Sequence, residues 1–550
     1  MNTGELNLAF ADAFVAGLAA AGLRHAVLAP GARSSPLATA FLRRPEIACE
    51  VMTDERVAGY LALGIAKASH QPCAVLCTSG TAAANLLPAV MEANLAGVPL
   101  LLLTADRPPE GHGWGANQTA DQTRLYGSHV RAFHALPVPD AAISGGFLHA
   151  MSARLVEESV APIPGPVHAN FSFREPLLPD AIPGAPALPP PIRIQRAVCA
   201  LTDTPALTER LSGRPGVILC GELPFQPGFA ESIANLADRL GAPILAEPLS
   251  GLRFGPHDRS RMLSHQARFL RRPDAFKPAW VLRFGRFPVS RTLERWLSNL
   301  DNAEHILVAP PGLWPDTLWK IGTLIRCDPK ALVDALLGEP LSPVPVAWFG
   351  AWKQADDSAK PAGDVFFEGT VARMLIEALP EGSHCFVGNS LAIRAMDAFG
   401  GTADKRLTLH GNRGVSGIDG NFSTAAGIAT ATGKPTAVLL GDQAALHDCG
   451  GLAALAGRDV VAVVMDNGGG GIFEHLPLAR VLPDELLRRG WLAPPKIEFR
   501  QLAAAFGLRY AEAATRDQLA TELARTFASG GAHLLRVIID REVSRGAFGG

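Results

Sequence analysis

No sign of charge dominates this chain. Fifty Lys and Arg stand against 52 Asp and Glu over 550 residues, with neither a basic run nor an aromatic-basic motif. An overall electrostatic draw toward nucleic acid is therefore excluded. Cysteine is sparse as well: Cys49, Cys73, Cys77, Cys199, Cys220, Cys327, Cys385 and Cys449 are scattered, mostly within apolar runs. That pattern argues for reduced core thiols in a cytoplasmic protein rather than a disulfide framework or a zinc site. Long hydrophobic runs are missing too; "VPLLLLTA" falls far short of the roughly 20 residues that span a bilayer. The opening "MNTGELNLAFADAFVAGLAAAGL" carries Glu5 and Asp12 and no basic leader. It reads as an amphipathic helix rather than a signal peptide. Short-period repeats and low-complexity tracts are absent.

What is present is apolar bulk: 48% hydrophobic residues and 19% charged ones, the composition of a globular protein with large cores. A chain of this length exceeds a single core. Two proline-rich stretches, 177–196 and 337–363, have the composition of exposed linkers and divide it into three segments. In the first, "RHAVLAPG", "PCAVLCTSG" and "PLLLLTADRP" alternate with the helical "RVAGYLALGIAKAS" and "AAANLLPAVMEA". The second places "FAESIANLADRL" among "GVILCGE", "APILAEP", "AWVLRFG" and "HILVAPP". The third gives "HCFVGNS", "PTAVLLGD", "DVVAVVMDN" and "AHLLRVIID". Short continuous strand-like runs separated by helices predict parallel sheets covered on both faces. The expected fold is α/β, three doubly wound parallel-sheet domains over residues 1–184, 185–345 and 346–550.

One acid stands out. Asp442 directly follows the buried run "PTAVLLG". It is either a turn residue ending the strand or part of a ligand site, since crevices in such sheets lie beyond the carboxyl ends of strands. A small-residue helix, "CGGLAALAG", leads on to a second apolar strand ending in "MDNGGGG", with Asn467 25 positions after Asp442. That spacing fits one strand–helix–strand crossover, which delivers both residues to the same sheet end. Asp442, the Asn467 amide oxygen and the Gly469 carbonyl would form half the oxygen shell of a hard cation such as magnesium. The helix start after Gly441 would offer N–H groups to a phosphate.

"GDQ" followed by "DNGGGG" resembles the metal-diphosphate motif of thiamine diphosphate-dependent enzymes, with Gln443 where many members have glycine and Gly468 where many have Asp or Asn. Glu55, at the start of "ERVAGYLALGIAKAS", could simply complement a helix dipole. The resemblance instead makes it the glutamate that hydrogen-bonds the aminopyrimidine and activates the cofactor. "CTSGTAAANLLPAV" is similar to the cofactor-side loop and helix of these enzymes and contributes Ser79 and Gly80.

Further stretches narrow the family: "APGARSSPLA", "LTADRPPEGHGWGANQTADQ", "GPVHANFSFREPL", "VGNSLAIR" and "GNRGVSGIDGNFSTAAG". With "GDQAALHD" and "GGGGIF" they resemble the 2-succinyl-5-enolpyruvyl-6-hydroxy-3-cyclohexene-1-carboxylate synthases of menaquinone biosynthesis. The likeness is nearly end to end in the first and third segments and looser in the middle. It implies decarboxylation of 2-oxoglutarate and addition of the four-carbon unit to isochorismate, with thiamine diphosphate and magnesium or manganese. A homodimer or a dimer of dimers, with sites between chains, is implied too.

Carried over residue by residue, the resemblance gives catalytic roles to Glu55 and Gln118, and Asp442, Asn467 and Gly469 as metal ligands. Cofactor contacts fall to Ser79, Gly80, Gly441, Gln443, Ala444, Ile472 and Phe473, with Ile418 under the bent cofactor. Arginine suits planar carboxylate recognition, and Arg33, Arg107, Arg394 and Arg413 match the substrate arginines. Ser34, Gln118, Asn389 and Ser390 complete the substrate set, with Arg291 where the family has a lysine. Rival readings are another thiamine diphosphate decarboxylase or carboligase, or a dinucleotide-binding protein using "DNGGGG" as its phosphate loop. The last lacks G-x-G-x-x-G spacing after a first strand.

Overall fold

Three six-stranded sheets, parallel throughout, organise the computed structural model, which describes residues 1–196, 203–224, 226–272, 276–360 and 365–549. The first holds β1 (His25–Leu28), β2 (Ala48–Val51), β3 (Cys73–Cys77), β4 (Leu100–Asp106), β5 (Phe133–Leu136) and β6 (Pro166–Ser172). The second holds β7 (Gly216–Cys220), β8 (Ile244–Ala246), β9 (Met262–Leu263), β10 (Trp280–Phe284), β11 (Glu304–Val308) and β12 (Thr323–Ile325). The third holds β13 (His384–Val387), β14 (Thr408–His410), β15 (Thr436–Gly441), β16 (Val460–Asp466), β17 (Arg509–Ala513) and β18 (His533–Ile538). This is the α/β architecture expected from the alternating runs. Among the described residues no helix is long and apolar enough to cross a membrane.

Strand order separates the sheets into two kinds. The first runs β2-β1-β3-β4-β6-β5 and the third β14-β13-β15-β16-β18-β17, the same order. The middle sheet runs β9-β8-β7-β10-β11-β12, the order common in dinucleotide-binding sheets. In the first and third, the order reverses between β1 and β3 and between β13 and β15. Ligand crevices are expected beyond the strand ends at such reversals.

The first and third sheets share a core. One continuous apolar cluster contains Val75, Leu61 and Ile65 together with Phe422, Ile428 and Val438. At its centre the Glu55–Ser69 helix crosses the Asn421–Thr432 helix at two glycines. A Cβ on Gly64 would lie 2.0 Å from the Thr424 carbonyl oxygen, and one on Gly427 2.1 Å from that of Leu61. Only glycine permits this approach.

One linker expectation is corrected. The 337–363 stretch is no simple exposed linker: within it Val346–Ser358 is a helix packed on the middle sheet. Fully buried Trp352 joins Val217, Leu219 and Trp296, and the Trp348 indole donates to the Gly216 carbonyl at 3.0 Å. Aromatic content outweighed the flanking prolines. "AAANLLPAVMEA" is two helices, Thr81–Asn85 and Leu87–Ala96, because Pro88 restarts the helix in its first turn. Residues 177–196 carry no helix or strand, and Cys199 lies outside the described residues.

Candidate active site

Asp442 is the first residue beyond β15 and only 2% exposed. Its Oδ2 accepts from the Gly469 N–H and its Oδ1 from the Gln443 N–H, both at 2.7 Å. The neighbouring β16 ends in Asp466, whose carboxylate lies against that of Asp442. Burial, reinforced by Asp466, pushes Asp442 up to about 7. Asp466 is held from β18 by Arg536, at 2.8 Å to Nε and 2.7 Å to Nη2. Two buried acids thus stand together, with Arg536 on one of them. The turn reading explains one oxygen of Asp442 but not this concentration of negative charge.

The glycine run is shaped by what covers it. Gly469 has φ +123°, and a Cβ there would meet the Leu492 carbonyl oxygen at 2.2 Å. Gly470 donates to that carbonyl at 2.8 Å, and the Gln443 side-chain amide also donates to it at 3.3 Å. Asn467 donates its Nδ2 to buried Glu368 at 2.8 Å. Ala444 is buried, while Ile472 and Phe473 are half-buried in the turn Gly471–His475. Among the described residues no three His, Cys, Asp or Glu side chains converge as a metal cluster. The donors on offer are a carboxylate, an amide and carbonyls, a set suited to a hard ion that shares its shell with phosphate.

Beside this loop three guanidiniums gather. Arg394 is held below the usual arginine range by burial and then by Arg413 and Arg291. Arg413 is lowered by burial against the pull of Glu222, Glu247 and Glu92. Arg413 donates to Asn389 Oδ1, and Asn389 in turn donates to the Asn412 carbonyl at 2.9 Å. Arg394 donates to the Ser390 carbonyl at 2.7 Å. Arg394 also helps to lower His475, which places the cluster next to the glycine loop. Asn389 and Ser390 follow β13 and Asp442 follows β15, so they flank the strand-order reversal.

A second group flanks the matching reversal of the first sheet. Arg33, after β1, donates to the Phe173 carbonyl at 2.9 Å and pairs with Glu175 at 2.7 Å. Arg107, after β4, donates to the Ser79 hydroxyl and is lowered by burial and by Arg33. Gln118 donates to the Ser79 carbonyl at 3.0 Å, and Gly80 donates to Gln122 at 2.9 Å. Ser34 is buried with its hydroxyl on the Gly31 carbonyl at 3.0 Å. Gln118 (φ +54°) and Ser390 (φ +65°) are among the few non-glycine residues with positive φ, a strain that concentrates at functional sites.

Glu55 is half-buried at its helix start, where Asn85 donates to it at 3.2 Å. The preceding Asp54 already caps that helix, accepting from Arg56 and Val57 at 2.8 and 3.2 Å. A capping role is therefore filled without Glu55.

Among the described residues no hydrogen bond or ion pair joins the first-sheet group to the arginines or the glycine loop of the third. Ile418, 37% exposed, likewise stands open. A cavity of about 620 Å³ between the N-terminal helix and residues 179–189 includes none of these side chains.

Sequence reasoning missed four acids around the site. Asp466 carried the same signal as Asp442, an acid ending an apolar strand. Glu92 accepts from the Gly414 and Val415 N–H groups at 2.8 Å and fixes the loop after Arg413. Glu247 carried that strand-end signal too, directly after β8, whereas Glu368, a buried partner from a distant segment, carried no local signal.

Residues 8–125 match the family described as thiamine pyrophosphate enzyme, N-terminal TPP binding domain, and residues 396–537 its C-terminal TPP binding domain. A 2-succinyl-5-enolpyruvyl-6-hydroxy-3-cyclohexene-1-carboxylate synthase of Dechloromonas aromatica is 45% identical, the match covering 97% of this chain and 99% of that protein. Synthases of the same name from Haloarcula marismortui (37% identical, covering 98% and 96%) and Geobacillus thermodenitrificans (38%, covering 97% and 93%) match as fully. The likeness extends through the middle sheet as well as the two cofactor domains, and the chain belongs to the thiamine diphosphate-dependent 2-succinyl-5-enolpyruvyl-6-hydroxy-3-cyclohexene-1-carboxylate synthase family.

Proposed function

We propose that this synthase uses 2-oxoglutarate and isochorismate as its substrates and magnesium or manganese as its metal. The observation that carries the reading is the cluster of Arg291, Arg394 and Arg413 beside the Asp442–Gly469 loop. Arg394 stands buried among like charges from Arg413 and Arg291, an arrangement that calls for anions, and both substrates are carboxylates.

The residues fit the cofactor and metal. Burial and the neighbouring Asp466 disfavour the charged form of Asp442, and a divalent cation beside it would favour that form. Asp442, the Asn467 amide oxygen and the Gly469 carbonyl would hold it, with Gly441, Gln443, Ala444, Ile472 and Phe473 around the diphosphate. When bound, thiamine diphosphate supplies the carbon nucleophile and electron sink that the side chains lack. Glu55 is the proton-handling group at the pyrimidine, Ile418 supports the cofactor from below, and Gln118 stands near the reacting carbon. Arg33 and Arg107, with Ser34, bind isochorismate; Arg394 and Arg413, with Asn389, Ser390 and Arg291, bind the succinyl carboxylate.

The site is completed by a second copy of the chain, as a homodimer or a dimer of dimers. The first-sheet group supports this: Gln118 is exposed and Trp114, in the same loop, is 85% exposed. The seven described cysteines are free, which suits a cytoplasmic location. The test is incubation with both substrates, thiamine diphosphate and magnesium, followed by mass spectrometry. The expected product carries the carboxylates of isochorismate plus a succinyl group; release of succinic semialdehyde alone would favour a simple decarboxylase.

A further inference from the structure

Glu368 opens the helix Glu368–Ala378 and is 0% exposed. Its Oε1 accepts from Asn467 Nδ2 at 2.8 Å and from the Ser544 hydroxyl at 2.7 Å. Its Oε2 has no hydrogen-bond partner among the described residues. Burying a carboxyl group with one oxygen unsatisfied costs stability that an apolar residue would not. A filler role does not account for it.

We infer that Glu368 is a positioning residue that orients the Asn467 side chain for the metal. The inference rests on the reading of Asn467 as a metal ligand. An amide has an oxygen end and an NH2 end, and only the NH2 end can donate to a carboxylate. Reversing it would set the amide oxygen against Glu368. With Nδ2 held, the acceptor oxygen is the end left for a cation. Partners that orient a ligand in this way tune metal affinity without touching the metal.

The C-terminal helix Arg541–Gly549 braces the arrangement. Ser544 shares the Glu368 oxygen, Arg541 donates to the Gly468 carbonyl at 3.0 Å, and Arg541 pairs with Glu474 at 3.0 Å. Gly471 leaves room for the amide, since a Cβ there would lie 2.7 Å from Asn467 Nδ2.

The test titrates the full-length protein with magnesium at fixed, saturating thiamine diphosphate, following binding by calorimetry and tryptophan fluorescence. Glu368→Leu removes the acceptor and should raise the half-saturating magnesium concentration about 10- to 100-fold. Glu368→Gln keeps an oxygen for Asn467 and Ser544 and should stay within a few-fold of wild type. Asn467→Asp alone opposes two carboxylates and should bind magnesium poorly. Adding Glu368→Gln to it supplies an N–H donor and should restore binding. An unchanged magnesium requirement in Glu368→Leu overturns the inference. If that variant does not fold, failure of Glu368→Gln to rescue Asn467→Asp overturns it. A wild type whose cofactor binding ignores magnesium would instead overturn the metal reading itself, and the inference with it.

Discussion

β1 through β6 and β13 through β18 are laid out in one order, and each set reverses direction at its first and third strands. What leaves the strand ends differs between them. The third sheet sends out Asp442, Asp466 and Asn467, which fit a cation and the diphosphate attached to it. The first sends out Arg33 and Arg107 around Ser79, which fit carboxylates. Topology fixes where a crevice opens, and the residues just beyond the last ladder bond fix what it takes. The middle sheet makes the point from the other side. Its order is that of dinucleotide binders, but its strand-end acids Glu222 and Glu247 face Lys67, Arg286, Arg253 and Arg413. It supports the arginine cluster and, among the described residues, has no phosphate-binding glycine loop.

The largest expected effects set an acid of one sheet against an acid of the other. Glu55→Gln, on the first-sheet side, should keep cofactor and metal affinity yet slow proton exchange at the thiazolium carbon by about 10²- to 10⁴-fold. Quenched-exchange NMR measures this. Asp442→Ala, on the third, should abolish magnesium-dependent cofactor binding by calorimetry while leaving the apo fold intact. If both variants lost binding equally, the division of labour between the sheets would be broken.

Next come the arginines. Loss of a charge-assisted carboxylate contact costs about 1.5–3 kcal/mol, roughly ten- to a hundredfold in KM. Arg33→Ala and Arg107→Ala should raise KM mainly for isochorismate. Arg394→Ala and Arg413→Ala should act on 2-oxoglutarate as well. Steady-state kinetics with one substrate varied at a time separates the two pairs; four small and equal effects would argue against a two-substrate clamp.

How much of this was legible in the sequence depends on whether the signal was local. Central strands such as β3, β4, β15 and β16 are buried on both faces and read as continuous apolar runs. β2 "ACEV", β14 "TLH" and β17 "RYAEA" sit at or near sheet edges with exposed positions, so their runs are short and mixed. Pro166 and the buried polar pair His168 and Asn170 hid β6. Asp442 and Asn467 were legible because each follows an apolar strand. Glu368 was not, since its partner lies 99 positions away. The Trp352 helix was hidden by the prolines on either side.

The shared core of the sister sheets can be tested at its closest approach. Gly64→Ala forces the two crossing helices apart and should cost about 1–3 kcal/mol of stability. Gly350→Ala is its counterpart: this exposed helical glycine meets nothing within 4 Å. There alanine should stabilise by about 0.5–1 kcal/mol. Denaturant unfolding of the two variants measures both changes. A neutral Gly64→Ala would mean that the helices are less tightly apposed than this crossing requires.

The smallest effect contrasts the sheets in pH. His168, in β6, donates to or accepts from Thr104 at 2.7 Å, packs against Tyr126 and Phe133, and is pushed down to about 3 by burial. The unfolded chain takes up that proton first, so the contribution of His168 is lost as pH falls from about 6.5 toward 3. Asp448, beside β15, accepts from the Phe422 N–H at 2.8 Å, yet burial raises it to about 7. Here the folded state holds the proton longer. Its contribution is present below about 3.8 and is lost as pH rises toward 7. His168→Gln should therefore flatten the acid limb of the melting-temperature profile, whereas Asp448→Asn removes a decline and should steepen the rise from pH 4 to 7. In a chain this long a change of 1 kcal/mol moves Tm by about 2 °C or less, so shifts of roughly 1–3 °C are expected. Calorimetric scans at closely spaced pH values resolve them. Profiles that change in the same direction in the two variants would show that the two sheets titrate as one body through their common core, not each through its own buried group.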